Sequence, residues 1–116
     1  MSKWRPDFRP EHLYFVTTKA VNYAHLFHRD VMKRLVVDTF DCFRTQARWK
    51  LFCFVIMPNH FHCIAQFSAG DPLSDVTRDI KKHVADRLIR HLKAERNQEA
   101  LDRLAAKVER SILPYR

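Results

Sequence analysis

Apolar and polar residues change period several times along this chain, and each change marks an element. Leu13-Tyr14-Phe15-Val16-Thr17-Thr18 is β-branched and aromatic, which predicts a strand. From Asp30 to about Gln46, Met32, Leu35, Val36, Thr39, Phe40 and Phe43 recur at helical spacing and predict an amphipathic helix. Lys50 to Met57 reads as a strand too apolar for a sheet edge. Pro58-Asn59 then supplies a tight turn, because proline pre-sets φ and asparagine tolerates the left-handed region. His60 to Phe67 is the return strand of that hairpin. Val76, Ile80, Val84, Leu88 and Leu92 repeat every four residues, predicting a helix that starts at Asp71-Pro72 or Ser74 and runs to about Ala94. A third helix is expected from about Gln98 to Ser111, with Leu101, Leu104, Ala105, Val108 and Ile112 on one side, and Leu113-Pro114 breaks it.

The order strand–helix–strand–strand–helix is most of a ferredoxin-like βαββαβ unit, so the expected class is α+β: an antiparallel sheet with helices packed on one side. The closing strand is missing from this pattern. The sheet edge so left open must be shielded by the third helix, completed by another chain in a homodimer, or explained by a sequence that ends early. One domain accounts for residues 1–116, with a basic arm over 1–12, a core over 13–94, and an extra helix and shortened end over 95–116.

Composition narrows the functional classes. A hydrophobic fraction of 47% with nine Phe, three Tyr and two Trp specifies a packed domain rather than a disordered one. Lys and Arg outnumber Asp and Glu by 21 to 13, a net charge of +8 that favours a polyanionic partner. Residues 51–77 contain no Lys or Arg, while ten basic residues precede that window and eleven follow it. Cys42, Cys53 and Cys63 form no close pair, which excludes a disulfide framework or a zinc ribbon and makes a reducing cytoplasm the simplest home. No signal peptide or membrane-length apolar run is present.

Inside the window free of Lys and Arg lies His60-Phe61-His62. Residues two apart on a strand share one face, roughly 6–7 Å apart along the backbone, so two imidazoles can converge on one cation while Phe61 and Cys63 face the core. From spacing alone the pair is equally readable as two strand histidines hydrogen-bonded to neighbours. Zinc through Cys63 is disfavoured, because Cys63 faces away from both rings and tetrahedral closure needs ligands on one side. His12, His25, His28, His83 and His91 lack a ligand partner at suitable spacing and read as surface or nucleic-acid-proximal groups.

The hairpin Phe54-Val55-Ile56-Met57-Pro58-Asn59-His60-Phe61-His62-Cys63-Ile64 resembles that of the REP-associated tyrosine transposases and related single-strand transposases of insertion sequences, the HUH type. Arg78-Asp79-Ile80-Lys81-Lys82 resembles the basic start of the helix that follows in that family, and the match spans roughly Leu13 to Leu92. The resemblance implies that His60 and His62 hold a divalent magnesium or manganese ion, which polarises the scissile phosphate of single-stranded or hairpin DNA. It further implies a tyrosine that attacks phosphorus and forms a covalent 5′-phosphotyrosine link during strand cleavage and transfer. The family carries that tyrosine on a helix beyond the point where this sequence stops, which implies a C-terminally shortened member. Tyr115 is a candidate nucleophile on sequence distance alone, since it follows a proline at the terminus and lies on no expected helix.

Arg78, Lys81 and Lys82 are candidate DNA contacts, as are Arg5 and Arg9 of the arm, where Trp4 adds an aromatic able to stack on an unpaired base. Asp75 and Asp79 near Arg78, and Asp86 near Arg90, make a solvated mixed-charge helix face an equal alternative. Three functions remain open at this point: the metal-dependent transposase, a non-catalytic DNA-binding module derived from one, and an unrelated small enzyme using the histidines on a phosphoester.

Overall fold

The computed structural model describes residues 7–20 and 25–112, with side chains up to residue 106. They form strand β1 (Leu13–Lys19), helix α1 (Asp30–Thr45), strands β2 (Lys50–Met57) and β3 (His60–Gln66), and helices α2 (Leu73–Ala94) and α3 (Gln98–Ile112). The sheet is antiparallel, in the order β1-β3-β2, and the helices pack against one of its faces. The class is therefore α+β, as the pattern of elements predicts.

One expectation about the sheet is corrected. β3 lies at the centre and the free edges belong to β1 and β2. β2, whose apolar run suggested an interior strand, leaves Phe52, Phe54, Val55 and Met57 between 40% and 57% exposed. Apolar content was misleading because the hairpin to β3 uses only one of β2's edges, and only one face of the sheet is covered. A register irregularity between Leu51 and Cys53 interrupts β2, a device that makes an open edge a poor template for a further strand.

On the covered face, Phe61, Cys63, Ala65 and Phe67 alternate inward and meet the buried stripes of α1 (Met32, Val36, Phe40, Phe43) and α2 (Val76, Ile80, Val84, Leu88, Leu92). Phe40 stands at the centre, with the rings of Trp49, Phe54 and Phe61 within 5.1–5.3 Å in edge-on contact. Trp49 satisfies its indole by donating to the Phe40 carbonyl at 3.2 Å. Burial pushes the Cys63 thiol up to about 11, so this cysteine is a packing group and not a nucleophile. His83, expected at the surface, instead pairs through Nδ1 with the buried Thr39 hydroxyl at 2.8 Å and packs edge-on against Phe43. Burial first, and then the charge of Arg87, hold its imidazole below the ordinary range.

Ion pairs fix the ends of the helices. Arg48 grips Asp71 with both ends of its guanidinium at 2.7 and 2.8 Å and reaches Asp79 at 2.9 Å, tying the start of α2 to the segment before β2. Asp71 thus acts through Arg48, and Pro72 takes the N-cap position without a side-chain cap. Arg29 makes the same two-pronged contact with Glu95, at 2.9 and 2.6 Å, joining the start of α1 to the end of α2. That hydrogen bonding lowers the Glu95 carboxyl to about 2 from its ordinary 4.5. The folded state consequently releases this proton more readily than the unfolded chain. The stabilisation is complete above the unfolded value and is lost as pH falls through the folded one. Arg29→Met is therefore expected to flatten the acid limb of a stability-versus-pH curve between about 4.5 and 2; an unchanged limb in urea titrations would contradict the pairing.

Beside the free edge of β1, α2 and α3 enclose an apolar cavity of about 650 Å³, lined by Ala20, Phe27, Val84, Leu88, Leu101 and Leu104 among others. Among the described residues no helix is long and apolar enough to cross a membrane.

Candidate functional site

Among the described residues no helix covers the other face of the sheet, and the central strand β3 presents His60 and His62 there, at the end that follows the turn. Alternation along β3 forces this: Phe61 and Cys63 are buried at 3% and 2% exposure, so their neighbours must face the other way. Thr17 of β1 and Val55 of β2 flank His62, and Lys19 and Met57 flank His60. The two imidazole rings approach to 4.7 Å between centroids, at 77° to each other. Two histidines alternating on one strand have thus come together as their spacing required.

Each ring is held by one nitrogen. His60 Nδ1 lies 2.6 Å from the Asn59 side-chain oxygen. A carboxamide oxygen can only accept, so Nδ1 carries the proton and Nε2 presents its lone pair. His62 Nδ1 lies 2.8 Å from the Thr17 hydroxyl, which accepts in the arrangement that leaves Nε2 bare. The Phe15 ring stacks on His62 at 5.2 Å and 19°. Anchoring one imidazole nitrogen through an acceptor while the other stays open is how proteins fix the tautomer of a metal-ligating histidine. The donor set therefore fits two-imidazole ligation of a divalent cation. Among the described residues, however, no group of three or more His, Cys, Asp or Glu gathers there, so the remaining positions would fall to water or to oxygens of a bound phosphate.

Sequence reasoning missed both orienting residues. Asn59 was assigned only to the turn, as a residue tolerant of positive φ, yet the described non-glycine residues with positive φ are Ala47 and Arg96. The turn does not need Asn59 for its backbone; the side chain is spent on His60. Thr17 looked like an ordinary β-former, and nothing but the register, in which it faces His62, reveals its contact.

The basic candidates are placed elsewhere. Arg78 leans on Asp75 at 3.7 Å and Asp79 at 3.2 Å, and Arg90 pairs with Asp86 at 3.2 Å, so the mixed-charge alternative describes much of α2's outer face. Lys82 is exposed on that helix, and Lys81 lines the apolar cavity together with Lys19 of β1. α2 lies on the covered side of the sheet, so Arg78 and Lys82 do not converge with the histidines. Arg9 stands exposed near Glu11, at 4.0 Å. Arg5, Trp4, Tyr23 and Tyr115 lie outside the described residues. Tyr14 is a different case: it pairs opposite Ala65, stacks with Phe8 at 5.6 Å and accepts from the Arg9 amide at 2.8 Å. It belongs to the covered face and cannot attack a phosphate held at His60 and His62.

No family model and no curated protein matches the chain. Among solved structures, the fold is similar to that described as "Structure of the REP associates tyrosine transposase bound to a REP hairpin", with a TM-score of 0.62 and 22% sequence identity. The likeness covers 75% of this chain and 53% of that one, so the chain spans about half the neighbour's length. At this identity the comparison establishes a shared fold.

Proposed function

We propose that this chain is a DNA-binding domain of the HUH tyrosine-transposase type, in which His60 and His62 hold a divalent magnesium or manganese ion beside the phosphates of single-stranded or hairpin DNA. The observation that carries the proposal is the anchoring of both rings by Nδ1, at 2.6 and 2.8 Å, with both Nε2 atoms left on an uncovered face. The similar fold of a transposase described as bound to a REP hairpin supports a DNA partner, and so does the net charge of +8.

When bound, the ion would supply Lewis-acid polarisation of a phosphate oxygen. The chain's own contribution is to pre-orient the two imidazoles, through Asn59 and Thr17. Lys81 and Lys82 would meet the DNA backbone where it leaves the sheet, and Arg78, Arg5 and Arg9 are further candidates for backbone contacts. Tyr115 is the candidate attacking group. The placement of Tyr14 on the covered face favours a second reading, in which the domain binds hairpin DNA and performs no cleavage.

Calorimetric titration with manganese tests the core of the proposal: wild type should bind, and His60→Ala and His62→Ala should each lose at least about tenfold in affinity. Equal affinity for all three would remove the metal site. Hairpin DNA binding should weaken steeply with salt, and Lys81→Ala or Lys82→Ala should each reduce the slope by about 1; a flat slope would remove the phosphate contacts. Incubation with hairpin-bearing single-stranded DNA and manganese separates the two readings. A covalent adduct lost in Tyr115→Phe establishes the transposase chemistry, and a complex without adduct establishes the binding module.

A further inference from the structure

We propose that Phe15 is a base-stacking residue, receiving one unpaired nucleobase on the uncovered sheet face next to the phosphate site at His60 and His62. The inference rests on the functional reading of that pair and adds what the reading lacks: a contact that tells unpaired from paired DNA.

Phe15 is 68% exposed, more than any other large apolar side chain among the described residues. A solitary exposed phenylalanine would need no explanation. This one belongs to a row of apolar side chains, with Leu13 at 55%, Val55 at 48% and Met57 at 40% exposure, on strands flanking the two histidines. Among the described residues no helix covers this face, whereas Phe61 and Phe67 on the other side are buried to 3% and 2%. Its ring is already oriented, one side lying nearly parallel to His62 at 5.2 Å and 19°, so a base placed against Phe15 would extend an existing stack instead of ordering a free side chain.

Charge selects the occupant. Lys19 is exposed opposite His60 at one end of β3, and Lys50 is exposed opposite Gln66 at the other. The interior of the face has no cation, because residues 51–77 contain neither Lys nor Arg. An apolar, aromatic centre with cations at its ends suits a strand whose bases lie inward and whose phosphates run towards the margins, as in single-strand-binding surfaces. A duplex does not fit this chemistry, since its bases are already stacked on one another and offer only their edges.

Anisotropy measurements at fixed salt would test the inference on three DNA hairpins: one with a short unpaired tail, one with an abasic tail of equal length, and one without a tail. Phe15→Ala is expected to weaken binding of the base-bearing tail by about tenfold or more, and to leave the abasic-tailed and tailless hairpins within about twofold. Phe15→Trp should retain or strengthen the tail preference, while Phe15→Leu should lose it. If wild type binds DNA but Phe15→Ala weakens all three probes equally, or none, the stacking role is wrong and the DNA-binding proposal stands. If wild type binds none of the probes, both fall. If wild type sediments as a dimer that Phe15→Ala dissociates, the face is an interface between copies and the stacking proposal is overturned.

Discussion

Phe40→Ala is expected to lower the stability of this domain by about 3–5 kcal/mol, the range for deleting a fully buried phenylalanine. Phe40 is 1% exposed and touches three aromatic rings drawn from both sides of the β2–β3 hairpin and from the segment before it. Removing it opens a void bounded by Trp49, Phe54 and Phe61, whose rigid rings cannot collapse to fill it. A domain of this size has only about 5–15 kcal/mol in total, so the variant should be partly unfolded at moderate temperature. Phe54→Ala supplies the comparison. That residue meets Phe40 in the same cluster but is 44% exposed on the open edge strand, and its loss should cost well under half as much. Urea unfolding of both variants checks the ordering. Near-equal losses would mean that β2's edge is not exposed in solution.

Much of this architecture is legible in the order of apolar residues. The four-residue repeat from Val76 to Leu92 matches the buried stripe of α2 residue for residue, and the alternation at His60-Phe61-His62-Cys63 sets which side chains face out. What the sequence conceals is global. Whether Lys50–Met57 is central or marginal depends on which strands pair, and a run of apolar residues looks the same in either place. Helix ends are not concealed: α1 and α2 stop at Thr45 and Ala94, beside the expected Gln46 and Ala94, without a glycine to mark them. The chain has one glycine, and α1 and α2 close instead through Ala47 and Arg96 at φ of 58° and 57°, residues that carry no stop signal. His83 shows another kind of concealment: with no ligand partner at suitable spacing it read as a surface group, and only the packing of α1 against α2 brings it to Thr39. At the candidate site the histidine pair is visible from spacing, while its hydrogen-bond partners are not, because Asn59 and Thr17 have ordinary local roles as well.

Those anchors give the second large effect. On the proposed reading, Asn59→Ala is expected to weaken manganese binding by about 10–100-fold with the fold intact, since groups that orient a ligating histidine commonly matter to that degree. The substitution is clean. The Asn59 backbone carbonyl still accepts from the Ala20 amide at 2.9 Å, and the residue does not occupy the left-handed region that would make alanine costly there. What is lost is the acceptor that holds the proton on His60 Nδ1 and the ring in place. Thr17→Val should act in the same direction through His62, and Thr17→Ser should restore most of the loss, because the hydroxyl and not the methyl makes the contact. Calorimetric titration of the four proteins, with thermal melts to confirm folding, decides the matter. Wild-type affinity in Asn59→Ala would show that the Asn59 contact holds the His60 ring for the sheet's own sake and does not orient a ligand.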